Sequence, residues 1–142
     1  AYRERKNRRR INEPLERNFE IDPCLWEPAW MAANEDLTQN DLSKHAWACG
    51  SLAELYFLAP ALPPATMRIT DEDKRKFVPE PDAETLALAY ARRLVEIAGS
   101  KAFETESTYW QFNRYVKWLK LGEPFESLAR KIVTILEPHQ DV

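Results

Sequence analysis

The 142-residue chain predicts an all-α fold, an irregular bundle of about four main helices with a C-terminal αα-hairpin and an extended N-terminal arm. Only three glycines occur against ten prolines, which leaves little material for the positive-φ turns of tight β-hairpins. Apolar residues instead recur at spacings of three and four, the pattern of helices with one buried face. They make up 44% of the chain and charged residues 30%, a balance typical of a globular domain.

The first element is a basic arm, residues 1–10, which holds six basic residues and one acidic residue. The rest of the chain carries 14 basic against 22 acidic residues. Because its charges repel and it has no apolar stripe, the arm is expected to become ordered only against an acidic receiver. A protein groove, nucleic-acid phosphate, anionic lipid and the chain's own acidic body all qualify. The predicted contact residues of the arm are Arg3, Arg5, Lys6, Arg8, Arg9 and Arg10.

Residues 11–36 predict a strap punctuated by prolines, with short helices near Glu16 and from Pro28 to Glu35. Prolines at this spacing prevent one long helix, so the intervening chain is expected to run extended. The strap is rich in large apolar side chains that require a surface, either on their own core or on a partner. We predict that four of them face outward and bind a partner: Phe19, Leu25, Trp26 and Trp30.

The helical body, residues 37–137, begins with a helix that ends at Leu58 and is capped by Thr38 or Asn40. Its predicted buried face includes Leu42, His45 or Ala46, Cys49, Leu52 or Ala53, and Tyr56. Gly50 lies in the middle of this helix, where glycine costs about 1 kcal/mol relative to alanine. The close approach of a second helix is the expected reason for it.

A long connection follows from Pro60 to Pro81, with one short helix starting at Thr70. Asp82 is then expected to cap a helix over residues 83–98, which Gly99 terminates. The buried stripe predicted for that helix consists of Leu86, Ala89 or Tyr90, Leu94 and Ile97.

The C-terminal αα-hairpin is predicted between Ser107 and Leu136, with its two helices joined at Gly122. Thr105 or Ser107 is expected to cap the first helix, which is so aromatic that it must be buried or covered by a partner. The second carries apolar residues at spacings of three and four after Pro124. Residues 138–142 are expected to form a loose tail.

A search for catalytic or metal-binding patterns leaves one small cluster. Asp41, His45 and Cys49 follow one another at spacings of four, which places them on one helical face and permits a small enzyme using His45 and Cys49. A packed His45 hydrogen-bonded to Asp41 is favoured, because no oxyanion-stabilising turn is evident. Adding Cys24 would make a zinc site without the usual knuckle spacing. We therefore predict no catalytic residue, metal or cofactor. Cys24 and Cys49 could form a disulfide, but two reduced, buried cysteines are favoured.

Aromatic and basic residues also alternate in the first hairpin helix, a pattern found where single-stranded nucleic acid binds. The residues concerned are Trp110, Arg114, Lys117, Trp118 and Lys120. Buried aromatics that leave a basic polar face explain the same pattern and are favoured, because the acidic body repels phosphate. Nucleic-acid binding is therefore expected only through the arm.

The sequence thus predicts a non-enzymatic accessory or adaptor subunit of a larger multiprotein assembly, bound to other protein subunits through its arm and strap. The alternative is a nucleic-acid-associated protein that grips the phosphate of RNA or DNA with the arm. The longest apolar run, residues 55–62, contains Pro60 and is too short to cross a membrane, so no transmembrane segment is expected. We expect an intracellular protein, but the sequence does not indicate its compartment. An organelle, reached after removal of a targeting segment, is one of the alternatives.

Overall fold

Helices make up the regular secondary structure of the computed structural model, which describes residues 20–63 and 80–138. No strand occurs in these two ranges, and the predicted all-α class is confirmed for them. The basic arm, Phe19, the short helices near Glu16 and from Thr70, and the last four residues lie outside the described residues. The helices are α1 (Pro23–Asp36), α2 (Leu42–Leu58), α3 (Glu80–Ala98), α4 (Phe103–Lys117) and α5 (Phe125–Leu136), with a 3-10 turn at Ala59–Ala61 after α2.

Helix α1 begins earlier than predicted and runs through a proline. Asp22 caps it by accepting a hydrogen bond from the backbone N–H of Cys24 at 2.9 Å, and Pro23 takes the first helical position, which needs no N–H. Pro28 lies inside the helix, where proline costs about 3 kcal/mol. Burial of Trp26 offsets this, because an indole that loses about 200 Å² of exposed surface gains about 5 kcal/mol. The extended course predicted for residues 23–28 is therefore wrong.

Helix α2 lies at the centre of the fold and contacts α1, α3, α4 and α5. Its N-cap is Asp41 rather than Thr38 or Asn40, because the Asp41 carboxylate accepts from the backbone N–H groups of Ser43 at 2.9 Å and Lys44 at 3.2 Å. Leu42, expected on the buried face, is exposed. The buried residues of α2 are Ala46, Ala48, Cys49, Gly50, Leu52, Ala53, Tyr56 and Phe57.

Gly50 provides the close contact between α2 and α4 that the sequence predicts. A Cβ atom at position 50 would lie 2.6 Å from Thr108 Oγ1, closer than van der Waals radii allow. The prediction that a second helix approaches Gly50 is confirmed, and that helix is α4.

Helix α3 packs on α2 through small side chains. Ala83, Ala87 and Ala91 are buried together with Leu94, whereas Leu86, Tyr90 and Ile97 flank them half-buried. The predicted stripe is therefore correct at Leu94 and in part at Leu86, Tyr90 and Ile97, which pack half-buried against the core, whereas Ala89 is exposed. The alanines occupy the positions nearest α2, where little space is left for larger side chains. Gly99 ends the helix with φ of +90°, as expected for a C-terminal glycine.

Helices α4 and α5 pack on each other across a link in which Gly122 has φ of +83°. Phe57 of α2 is completely buried between them, with ring centroids 5.2 Å from Phe112 and 5.7 Å from Phe125. Helix α4 begins at Phe103, with Ala102 as its N-cap, so neither Thr105 nor Ser107 caps it as predicted. The Thr105 hydroxyl instead donates to the carbonyl oxygen of Gly99 at 2.6 Å.

Replacing Gly50 by alanine tests the contact with α4. Overpacking costs about 1–3 kcal/mol, whereas alanine gains about 1 kcal/mol of helix propensity over glycine. A Thr108→Ala background removes the hydroxyl that the new Cβ meets. We expect Gly50→Ala to be more favourable in that background than in the wild-type chain, by about 1 kcal/mol or more in urea unfolding. Strictly additive effects of the two substitutions would contradict the close approach.

Candidate functional site

The predicted strap residues have different environments in the structure. Leu25 is 72% exposed, whereas Trp26 is only 2% exposed, and its indole N–H donates to the carbonyl oxygen of Leu55 at 2.8 Å. Trp30 is half-buried and donates to the Tyr56 hydroxyl at 2.8 Å. The outward orientation predicted for Trp26 is therefore wrong, because its own chain encloses the side chain. The other predicted site residues, Arg3, Arg5, Lys6, Arg8, Arg9, Arg10 and Phe19, lie outside the described residues.

An aromatic cluster attaches α1 to α2 and α3. The rings of Trp26 and Trp30 stack with centroids 6.1 Å apart, and Tyr56 stacks on Tyr90 of α3 at 5.9 Å. The spacing of four between the tryptophans indicates that both belong to one helical face. Because that face is occupied by the core, these two rings serve packing.

The outward face of α1 is apolar as well. Leu25 and Met31 are 72% and 63% exposed. Glu27, one turn before Met31, is half-buried, and the remaining exposed residues of the helix before Glu35 are uncharged: Cys24, Pro28, Ala29 and Ala32. A helix on the surface of an isolated globular protein usually carries charged residues on this side. We call this surface the α1 face.

The possible small-enzyme cluster does not have the geometry that catalysis requires. The Asp41 carboxylate is used as the N-cap of α2, and Nε2 of His45 donates to the carbonyl oxygen of Gln39. The predicted hydrogen bond from His45 to Asp41 is thus replaced. Cys49 is fully buried, and burial raises the pKa of its thiol while Arg93 opposes the shift. A buried protonated thiol is a poor nucleophile.

The cysteines of the described ranges are free, Cys24 exposed on α1 and Cys49 buried on α2. No group of three or more histidine, cysteine, aspartate or glutamate side chains within residues 20–63 and 80–138 is arranged to hold a metal ion.

Helix α4 divides its aromatic residues between two faces. Phe112 is fully buried, and the Tyr115 hydroxyl donates to Glu54 of α2 at 2.5 Å. Trp110 and Trp118, by contrast, are 52% and 75% exposed. The expectation that core packing accounts for these two tryptophans is wrong, because α2 and α5 cover only the opposite side of the helix.

The exposed tryptophans border a groove of about 400 Å³ at the C-terminal end of α4. We call it the α4 groove. It is lined by Trp110, Asn113, Arg114, Lys117 and Trp118. Positions 110, 114 and 118 follow at spacings of four, with 117 beside them, so the residues share one helical face.

The α4 groove is locally basic in an acidic protein. Residues 109–122 contain Arg114, Lys117 and Lys120 and no acidic residue, although the whole chain has a net charge of −3. In the described part of the chain none of these three cations makes an ion pair. The Arg114 guanidinium donates instead to the side-chain carbonyl of Gln111 at 2.5 Å. An anionic ligand would therefore meet cations that no carboxylate of the described residues pairs with directly.

Asn113 adds a polar group to the groove that the sequence pattern did not single out. It is only 8% exposed, and its side-chain amide has no hydrogen-bond partner among residues 20–63 and 80–138. Buried amides are usually hydrogen-bonded, because an unmade bond costs about 1–3 kcal/mol. In the sequence, the position of Asn113 between Trp110 and Lys117 is the feature that indicates its place in the groove.

Similarity to known proteins does not assign the chain to a family. No family model matches it, and neither a curated protein nor a solved structure does. Within the described ranges, none of the helices is both long and apolar enough to traverse a bilayer. The function must therefore be argued from the surfaces themselves.

Trp26→Ala should destabilise the protein by about 3–5 kcal/mol, because it removes a buried indole and its hydrogen bond to α2. The matched control is Leu25→Ala, which truncates the exposed neighbour and should stay within about 0.5 kcal/mol of wild type. Urea unfolding of both variants measures the difference. Equal effects of the two would contradict the orientation of α1.

Tyr115 predicts a pH dependence of stability. Burial and the nearby Glu54 carboxylate raise the pKa of its hydroxyl. The neutral form is thus favoured in the folded protein, and its stabilising effect is complete below the unfolded pKa of about 10 and lost as pH rises through the folded pKa. We expect the wild-type free energy of unfolding to fall above about pH 10 more steeply than that of Tyr115→Phe. Tyr56 and Tyr90, whose pKa values burial also raises, will leave a residual slope in the variant. Identical slopes for the two proteins would contradict this role of Tyr115.

Proposed function

We propose that the protein is a non-enzymatic accessory or adaptor subunit of an intracellular multiprotein assembly. It docks on neighbouring protein subunits through the basic arm and the α1 face. The observation that carries this proposal is the exposure of Leu25 and Met31, at 72% and 63%, on a helix whose exposed side chains before Glu35 are uncharged and whose Glu27 is half-buried. Exposed apolar surfaces of this kind commonly mark sites where another molecule binds.

In this proposal the docking surface on α1 consists of Leu25 and Met31, and Phe19 of the strap stays a prediction. Trp26 and Trp30 donate hydrogen bonds to α2, which supports a role in holding α1 in the orientation that presents the α1 face. Methionine suits such a surface because its flexible thioether adapts to irregular partners.

Two contacts are needed for stable docking. Complete burial of Leu25 and Met31 by a partner would contribute roughly 3–6 kcal/mol, whereas association costs an estimated 4–15 kcal/mol in lost rigid-body freedom. The α1 face alone therefore gives weak binding. The arm, with six basic residues in ten, supplies the second contact to an acidic receiver on the same assembly.

An enzymatic role through Cys49 is less well supported, since the thiol is buried and its pKa is raised. The alternative is nucleic-acid association, in which the arm grips phosphate. The observation that favours it is the six basic residues among residues 1–10. Steep salt dependence of binding to a random oligonucleotide, lost when residues 1–10 are deleted, would favour that alternative.

Affinity purification from the native source, quantified by mass spectrometry, tests the adaptor proposal with four baits. Wild type is compared with a deletion of residues 1–10, with Leu25→Asp combined with Met31→Asp, and with Arg92→Glu. The last is the matched control, because Arg92 is exposed on α3 and its substitution changes the charge by the same two units. We expect one stoichiometric set of proteins with wild type and Arg92→Glu, and its loss with both other baits.

Thermal unfolding of the same four proteins provides the stability control. Because the substituted side chains are exposed, the midpoint should change little in every variant. A large loss of stability on deleting residues 1–10 would show that the arm belongs to the fold. Undiminished recovery by the Leu25→Asp, Met31→Asp bait would exclude the α1 face as a docking surface.

A further inference from the structure

We propose that the α4 groove is a binding site for single-stranded nucleic acid, in which bases stack on Trp110 and Trp118 and phosphates contact Arg114 and Lys117. The site is formed by residues of α4 and its C-cap, none of which belongs to the arm or to the α1 face. The inference therefore goes beyond the adaptor proposal and stands or falls independently of it.

The two exposed indoles of the groove provide surfaces on which bases can stack. Trp118 is 75% exposed and Trp110 52%, although Trp110 lies within the packed helix α4 and Trp118 is its C-cap. Tyr109 packs edge-on against Trp110 with centroids 5.1 Å apart, which supports this ring from one side. Flat aromatic surfaces stack on any base, and this interaction is a principal source of affinity in sequence-tolerant single-strand binding.

The indoles and the cations alternate along the helix in the order that a single strand requires. Trp110 and Trp118 are eight residues apart, which at 1.5 Å per residue is about 12 Å along the axis. Arg114 lies midway between them on the same face, and Lys117 is next to Trp118. Two stacking platforms with cations between them match a strand whose bases alternate with phosphates.

The positive charge of the groove favours an anionic ligand. The cations of residues 109–122 lack acidic neighbours in that segment and make no ion pair with the described residues. A neutral ligand would leave these charges unused, and an acidic peptide would use them but would leave the indole planes without matching flat groups. Nucleic acid uses both features.

Asn113 also favours a ligand with hydrogen-bonding groups in the groove. Its buried amide lines the groove without a hydrogen-bond partner among the described residues. The amide offers two N–H donors and a carbonyl acceptor, and the edges of unstacked bases present complementary groups. A base within the groove, whose volume is about 400 Å³, would satisfy this side chain.

Binding of the full chain to short fluorescein-labelled oligo(U) and oligo(dT) at low ionic strength, followed by fluorescence anisotropy, tests the site. We expect binding by wild type, and a loss of roughly fivefold or more in affinity for Trp118→Ala and for Trp110→Ala. Arg114→Gln and Lys117→Gln should each lower the slope of log affinity against log salt by about 0.7 if each cation meets one phosphate.

Two matched controls show whether the effects belong to the groove. Phe103→Ala removes an aromatic that is 72% exposed at the opposite end of α4, and Arg92→Gln removes an exposed positive charge on α3. Both should bind like wild type. Trp118→Phe, which retains a flat ring, should keep more affinity than Trp118→Leu, which retains only apolar surface.

Three results would overturn the proposal. The first is no binding by wild type at low salt. The second is binding that every groove variant retains but that deletion of residues 1–10 abolishes, which would assign all affinity to the arm. The third is tighter binding of poly-glutamate, at equal dependence on the groove residues, which would identify an acidic protein segment as the ligand. Because all the substituted side chains are exposed, circular dichroism should show wild-type folding in the variants tested.

Discussion

The arrangement of this protein depends on how closely its other helices approach α2. Gly50 and several alanines give α2 a surface with few projecting side chains, and the alanines of α3 face it. Close spacing of backbones increases the number of van der Waals contacts between them, which compensates for the small apolar area of each alanine. Phe57 fills the one wide region, where α2, α4 and α5 meet.

The position of α4 between its neighbours explains why the α4 groove exists. Helices α5 and α2 cover one side of α4. That side takes Phe112, which contacts Phe57, and the Tyr115 hydroxyl reaches Glu54 at its edge. Trp110 and Trp118 are too far around the helix to be covered, so their indoles stay at the surface beside Arg114 and Lys117.

The same reasoning applies to α1, whose two faces are both apolar. The inward face is selected by hydrogen bonds as well as by area, because each of the two tryptophan N–H groups finds an acceptor on α2. Leu25 and Met31 have no polar group to direct them inward. They lie outside because the two tryptophans occupy the inward face of the helix. The resulting α1 face is where we propose that a partner binds.

The sequence by itself determined the features that depend on local backbone chemistry. The scarcity of glycine predicted an all-α fold, Gly99 and Gly122 marked positive-φ positions, and Gly50 indicated a close helix contact. Only the tertiary structure decided which large aromatic residues are enclosed, placing Trp26 in the core and Trp110 and Trp118 at the surface. Periodicity places a residue on a helical face, but the width of the face that becomes buried is set by the neighbouring helix. That width, and with it the groove around Asn113, follows from contacts between residues far apart in the chain.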